Sequence, residues 1–454
     1  MNTVQILSVV IFVATIILIA TERVQRIYTA LLAAGAMLLI GAVKPDEVLH
    51  LIDIEILGVI VGMMLLVGGA EKSGIFDSVA WRIMRASRSP NMFAVILLSF
   101  TMFLSMILNN IGAMLVSASI TITMTRALKM KPEMFLIFQA IVANLGGMML
   151  MMSSIPNIII AVEGGVSFSE FLFNIAPLGV ILFALTILIF LKYFVAETER
   201  DIIHELRSVD SSEWAHELGS EVETDVIHEL RELEFDEWIE LSIREFSSVG
   251  WGRRQTVAAV IMASTIMGFA LYDRLGLTPA LVALTGGCLM LMLSGEKPSE
   301  ALGEVDWSTV FFLAGLFVMI NGMNEVGLIE ILSREMLDLA GKWPENLPIA
   351  VMWLSAVPSA LIDNIPLTAT FAPIIQRWVT RGLSTDIWWG LVVGANLGGS
   401  LTPIGSPSSI LVIGVSEQEG HPIPLGMFFK ICFGVTMIHL FVSMIYLYIL
   451  YSLS

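Results

Sequence analysis

Hydrophobic residues run along this chain in long blocks, separated by short polar links, at lengths near the ~20 residues a membrane-spanning helix needs. Before residue 196 the blocks fall at 4–20, 27–43, 52–70, 91–108, 110–126, 134–162 and 172–195. After residue 250 they fall at 254–272, 278–294, 307–325, 347–362, 364–379, 387–414 and 425–452. Each set predicts three helices, a shorter amphipathic stretch (71–89 and 326–343), two runs joined by a tight polar tip, an interrupted run and a long final helix. The order repeats element by element, so the chain reads as two copies of one all-α unit.

The interruptions carry the strongest signal. Asn144-Leu145-Gly146-Gly147 opens a stretch ending in Ser153-Ser154-Ile155-Pro156-Asn157. Asn396-Leu397-Gly398-Gly399 opens another, running through Thr402-Pro403-Ile404-Gly405-Ser406-Pro407-Ser408-Ser409, at an offset of 252 residues. Gly, Pro, Ser and Asn break helices, and hydrocarbon offers no water to the freed backbone groups. Such breaks survive at membrane depth only where protein or a polar cavity takes those groups up. Breaks at corresponding positions of two halves mark the binding site of a secondary transporter. Close helix packing through the paired glycines is the plainer reading of Gly146-Gly147 and Gly398-Gly399.

The polar tips are Asn109-Asn110-Ile111-Gly112 and Asp363-Asn364-Ile365-Pro366. If each flanking pair is a re-entrant hairpin, each half has five full crossings, one of them broken. An odd number turns the second half upside down, giving two inverted repeats. The expected division is a first repeat over 1–195, an acidic loop over 196–250 and a second repeat over 251–454. Within it, 91–162 plus 347–414 would form the transport domain and the rest a scaffold.

Composition agrees with this reading: 56% of residues are hydrophobic and only 14% charged, which excludes a soluble enzyme. The first block lacks a basic leader and a small-residue cleavage site, so it is expected to be retained. Cys288 and Cys432 lie in apolar runs and suggest neither a disulfide framework nor a zinc site. The formal charge of −17 belongs mostly to the acidic loop, where 17 Asp and Glu face 4 Arg.

With the N-terminus outside, the inward segments of the first half carry Arg23, Arg26, Lys72, Arg82, Arg85, Arg88, Arg126, Lys129 and Lys131, against Lys44 outside. The positive-inside bias then puts the acidic loop in the cytoplasm and the protein in the plasma (inner) membrane. The second half disagrees, with Arg274, Arg334, Lys342, Arg377 and Arg381 outside against Lys297 inside; an inverted repeat moves equivalent basic sites to the other face, and the first half usually dominates topology.

Inside the loop Asp201-Ile202-Ile203-His204-Glu205-Leu206-Arg207 recurs as Asp225-Val226-Ile227-His228-Glu229-Leu230-Arg231. Trp214 and Trp238 follow at the same 24-residue period. Each unit reads as a short amphipathic helix. No second ligand sits three or four residues after either histidine in suitable geometry, so metal binding is not the expectation.

The chemistry of transport is expected at the tips and breaks. Asp363, deep between apolar runs, has a functional role by default. With Asn364, Thr368, Gly405, Ser406, Ser408 and Ser409 it offers the hard oxygens that a coupling cation, Na⁺ or H⁺, would use. The alternative role is a helix cap, Asp363 accepting amide hydrogen bonds. Asn109, Asn110, Asn144, Ser153, Ser154, Asn157, Asn396 and Thr402 would complete the substrate pocket. No Lys or Arg lies well inside a block, so an anion would rest on hydroxyls and helix N-termini. The methionines at 148, 149, 151 and 152 point around a helix and read as packing, not a soft-metal site.

At these motifs the chain resembles the ion transporter superfamily, in the branch of arsenite permeases, NhaD-type sodium/proton antiporters and the melanosomal P protein, with divalent-anion/sodium symporters more distant. Leu361-Ile362-Asp363-Asn364-Ile365-Pro366-Leu367-Thr368-Ala369 is similar to the family's second hairpin tip. Asn396 to Ser406 is similar to its second broken helix, and Pro156-Asn157-Ile158-Ile159-Ile160 to the end of its first. The resemblance implies a homodimer whose transport domains move elevator-fashion.

The first half departs from the pattern. Its tip is Asn109-Asn110 where relatives have Asp-Asn. Met148 and Leu150 stand where two threonines are usual, and Ser153-Ser154-Ile155 replaces Gly-Asp-Pro. The expectation is a cation-coupled transporter of a small anionic or weakly acidic solute, needing no cofactor beyond the ion and no nucleic acid. The alternative is Na⁺/H⁺ exchange without an anion; a channel or an intramembrane enzyme fits less well.

Overall fold

A computed structural model describes residues 2–21, 23–76, 78–79, 82, 90–108, 110–127, 131–208, 251–294, 297–303, 305–340, 346–403, 405–418 and 420–453. Asn109, Ile404, Arg85, Arg88, Lys129, Lys342, most of the 71–89 stretch and the acidic loop from 209 to 250, with Trp214, His228 and Trp238, lie outside the described residues.

The described chain is all-α. The first half comprises α1 (Thr3–Ala20), α2 (Arg26–Leu39), α3 (Val48–Leu51), α4 (Ile54–Lys72), α5 (Pro90–Ile107), α6 (Asn110–Ala127), α7 (Glu133–Met149), α8 (Ile155–Gly164), α9 (Phe168–Asn174) and α10 (Ala176–Ser208). The second comprises α11 (Arg253–Leu275), α12 (Pro279–Ser294), α13 (Pro298–Gly303), α14 (Trp307–Glu325), α15 (Leu328–Ala340), α16 (Leu347–Ser359), α17 (Asn364–Thr380), α18 (Ile387–Gly398), α19 (Pro407–Gln418) and α20 (Leu425–Leu453).

Local signals set the boundaries. Asp53 caps α4 by accepting the Ile56 N–H at 2.9 Å, and Asp306 caps α14 by accepting the Thr309 N–H at 3.1 Å. Extended Ser154 and Pro156 open α8, and left-handed Gly165 closes it. Two features differ from the sequence expectation. The chain bends by 115° between α8 and a short α9, which straddles the end of the polar link between the 134–162 and 172–195 blocks. The first amphipathic repeat unit is no separate helix either, because α10 runs on through Ser208.

Packing is reciprocal between the halves. α4 lies against α12 as α2 lies against α14, and α6 meets α19 as α17 meets α8. Within each half α5 packs on α7 as α16 packs on α18. The direction of the halves follows from three contacts. At the start of α14, the Arg26 Nη2 donates to Thr309 Oγ1 at 3.2 Å. At its other end, Asn321 Nδ2 donates to Leu51 O at 2.8 Å and Gln5 Nε2 to Val326 O at 2.8 Å. Leu51 immediately precedes α4, so α4 begins on the side where its counterpart α14 ends. Equivalent helices run in opposite directions: the repeats are inverted.

Six of the described helices are long and apolar enough to cross a bilayer: α1, α4, α10, α11, α14 and α20. They supply three equivalent spans in each half. The other two crossings expected per half fall on shorter helices, α2 and α12, and on the broken pairs α7–α8 and α18–α19.

Candidate functional site

The second hairpin enters from the side on which α14 ends. There Arg377 on α17 contacts Glu330 Oε2 at 2.6 Å and Asn324. Its tip turns back beside the first turn of α14, where Asp363 caps α17. The Asp363 Oδ1 accepts the Ile365 N–H at 3.0 Å, while Oδ2 lies 3.5 Å from Arg26 Nη1. Asn364 and Thr368 are buried behind it, and the Thr368 hydroxyl donates to Asn364 O at 2.7 Å within the helix.

This tip borders a cavity of about 600 Å³. One wall comes from the end of α1 and the start of α2 (Ile19, Ala20, Arg26), with Ser308 of α14. The other comes from both hairpin tips (Ile111, Leu361, Asp363) and the start of α19 (Pro407, Ile410). Among the lining residues Asp363 is the one carboxylate and Arg26 the one fixed cation. Arg26 is the functional candidate that sequence reasoning missed. It had been counted among the loop charges that set topology, because its partner lies 337 residues away.

Beneath the cavity the two breaks cross. The Asn144 carboxamide of α7 reaches into the second break, where Nδ2 donates to Ser400 Oγ at 2.6 Å. Its Oδ1 is approached by Ser406 Oγ at 3.1 Å, Ser408 Oγ at 3.2 Å and Asn110 Nδ2 at 2.9 Å. Ser406 and Ser408 share a further bond of 2.6 Å, and Ser409 is buried beside them. In return, Asn396 of α18 reaches into the first break. Its Nδ2 donates to Asn157 Oδ1 at 2.8 Å, and its Oδ1 accepts from Ser154 Oγ at 3.3 Å.

The breaks also satisfy themselves. Asn157 Nδ2 lies within 3.0 Å of the Gly147, Met148 and Leu150 carbonyls, and Ser153 Oγ within 2.7 Å of Gly147 O and Leu150 O. In the second break, Thr402 Oγ1 donates to Ala360 O and accepts the Gly405 N–H at 3.1 Å. Polar groups at this depth have no water to turn to, so these bonds are what keeps the breaks affordable. Each hairpin is clamped alike: Ser105 donates to Ala143 O as Ser359 donates to Ala395 O. The glycines serve close approach. A methyl at Gly146 would lie 2.6 Å from Met102 O and one at Gly398 2.4 Å from Ala356 O.

The expected site residues thus separate into two layers. Asp363 faces the cavity. Asn110, Asn144, Ser154, Asn157, Asn396, Ser406 and Ser408 form the buried junction under it, with Ser153, Thr402 and Gly405 holding the backbone of the breaks. Beside the first break, against α4, lies a space of about 40 Å³. Ile107, Ile155 and Ile158 there match Leu361, Pro407 and Ile410, and Met63, Met64 and Met152 fill it alongside Ser153 and Ser154. Among the described residues no cluster of three or more His, Cys, Asp or Glu side chains suits a metal.

An all-α membrane protein of two inverted repeats, with broken helices crossing under an interfacial cavity, has the architecture of a transporter. The chain belongs to the CitMHS family, described as citrate transporter, whose model matches residues 16–394 and again 276–453. It is 28% identical to an uncharacterized transporter of Mycobacterium tuberculosis over 98% of both chains. It is 27% identical to a 46 kDa membrane protein of Mycobacterium leprae, over 98% of this chain and 99% of that one. Identity to the human P protein is 27%, over 95% of this chain and 58% of the relative. The fold matches the YdaH transporter of Alcanivorax borkumensis with a TM-score of 0.56 and 15% identity, covering 89% of this chain and 87% of that one. The family's description and the names of the Mycobacterium tuberculosis and Alcanivorax borkumensis proteins are those of transporters, which sets the enzyme reading aside.

Proposed function

We propose that this protein is a cation-coupled secondary transporter of a small anionic solute, with carboxylates such as citrate the first candidates from the family's description. The observation that carries the reading is the 600 Å³ cavity, which holds one carboxylate and one guanidinium between the hairpin tips and α2. Asp363 presents the hard oxygen that Na⁺ prefers, or a site for a proton. Arg26 and the positive end of α19 face the same space and suit an anion.

The cavity opens beside the end of α1 and the start of α2. With the N-terminus outside, that is the cytoplasmic face, which supports an inward-open state in a plasma membrane like that of the bacterial relatives. Residues 91–162 and 347–414 would move as an elevator against the rest, in a homodimer. Proteoliposomes carrying citrate and a pH dye test the reading: Na⁺- or proton-driven citrate uptake, lost in Asp363→Asn, is the expected result. The lone carboxylate of the cavity favours a second reading, Na⁺/H⁺ exchange at Asp363. Proton flux driven by Na⁺ with no anion present would select it.

A further inference from the structure

Arg26 and Asp363 belong to different parts of the molecule, α2 and the second hairpin tip, yet they face each other across the cavity. Their 3.5 Å contact is longer than the ~2.7–2.9 Å of a tight charge-assisted bond. The side chains are 34% and 18% exposed, so solvent and ions reach the pair.

Arg26 is also held from behind. Its Nη2 lies 3.2 Å from Thr309 Oγ1, which is 2.5 Å from Asp306 Oδ2, and its guanidinium carbon is 5.7 Å from the centre of the Phe312 ring. These anchors all sit on the first turns of α14 or at its cap. They keep the guanidinium at the cavity wall whether or not it touches Asp363. An arginine cannot shed its proton, so only an anion can neutralise it.

Resting on the transport reading above, we propose that Arg26 is a tethered cation that occupies Asp363 in the solute-free carrier. Na⁺ arriving at Asp363 displaces the guanidinium, which stays on α14 and becomes the anchor for the anionic solute. Within the Arg26–Asp363 pair the charges balance; Na⁺ at Asp363 frees the cavity-facing edge of the guanidinium, and the anion takes its place there. Cation and anion binding are coupled through one side chain, and by linkage each tightens the other equally. The same ion pair ties the hairpin tip to α2 until Na⁺ arrives.

The test uses the full chain in nanodiscs, with thermal shift against NaCl or choline chloride, and with citrate as the anion probe. In the wild type, citrate affinity rises with Na⁺ by a factor of about 5–150, the usual span of coupling between sites. Arg26→Gln binds Na⁺ at least about 5-fold more tightly, having lost the competitor, while the effect of Na⁺ on citrate falls below about 2-fold. Arg26→Lys, which keeps the charge in a fully folded protein, lies between the two. Na⁺ affinity unchanged or weakened in both variants overturns the proposal while leaving the transport reading intact. A wild type whose citrate affinity ignores Na⁺ also overturns the proposal and leaves proton-driven uptake, which the proteoliposome assay reads separately.

Discussion

The two half-sites share one backbone plan and differ in the side chains that line it. In the second half, hairpin tip and break open on a cavity of about 600 Å³ bearing Asp363 and Arg26. In the first half, the matching break borders about 40 Å³ against α4, lined by isoleucines and methionines with Ser153 and Ser154. The backbone symmetry is intact: inverted helices, crossed breaks, serine clamps and close-approach glycines occur in both. What has diverged is the side-chain chemistry. Where the second tip has Asp363, the first has Asn109-Asn110, and the Asn110 amide donates to Asn144 Oδ1 at 2.9 Å. A repeat can keep its architecture while the side chains of one copy pack more closely than those of the other.

The comparison is sharpest at Asp363. Asp363→Asn should lower cation-dependent citrate uptake in proteoliposomes by about 100-fold or more, the kinetic equivalent of one charge-assisted contact of ~3 kcal/mol. Retained uptake with unchanged cation dependence would remove the functional difference between the halves. The junction below should matter to stability. Asn144→Ala strands Ser400, Ser406, Ser408 and Asn110 together and should cost about 2–4 kcal/mol, read from the denaturation midpoint.

Next come the glycines. Gly146→Ala and Gly398→Ala each force a methyl onto a hairpin carbonyl and should each cost about 1–3 kcal/mol. Similar losses would show that packing symmetry outlived chemical symmetry; a loss at Gly398 alone would contradict that.

The smallest effect concerns Glu330, whose carboxyl is held down to about 2, first by its hydrogen bond to Arg381 and then by Arg334 and Arg377. A depressed folded-state value means this contribution is complete above the ordinary glutamate range and is lost only as pH falls toward 2. Titration from pH 7 to 5 in Glu330→Gln and wild type should therefore give parallel stability curves.

Much of this architecture was legible in the chain. The 307–325 run became α14 with the same ends, and both breaks fell inside the runs that Gly, Pro and Ser had marked. The tips were legible because Asp363 and the flanking amides are costly among apolar residues. What stayed hidden depends on partners distant in sequence. Ser153 and Asn157 looked like ligands, yet they hold the carbonyls of their own break. Arg26 looked like a loop charge, because nothing in its neighbourhood reveals that α2 begins beside the second hairpin tip. The short α9 stayed hidden because its first turn, capped by Ser167 and Glu170, falls in the polar link between two blocks.

The most direct test of the asymmetry is thiol accessibility, in full-length protein whose exposed Cys288 and buried Cys432 have been replaced. Leu361 is 66% exposed in the open cavity, whereas its counterpart Ile107 is 7% exposed in the closed one. With a membrane-impermeant thiol reagent applied to inside-out vesicles, Leu361→Cys should label rapidly and be protected by citrate with Na⁺, while Ile107→Cys stays unlabelled. Equal labelling and equal protection at the two positions would contradict the account.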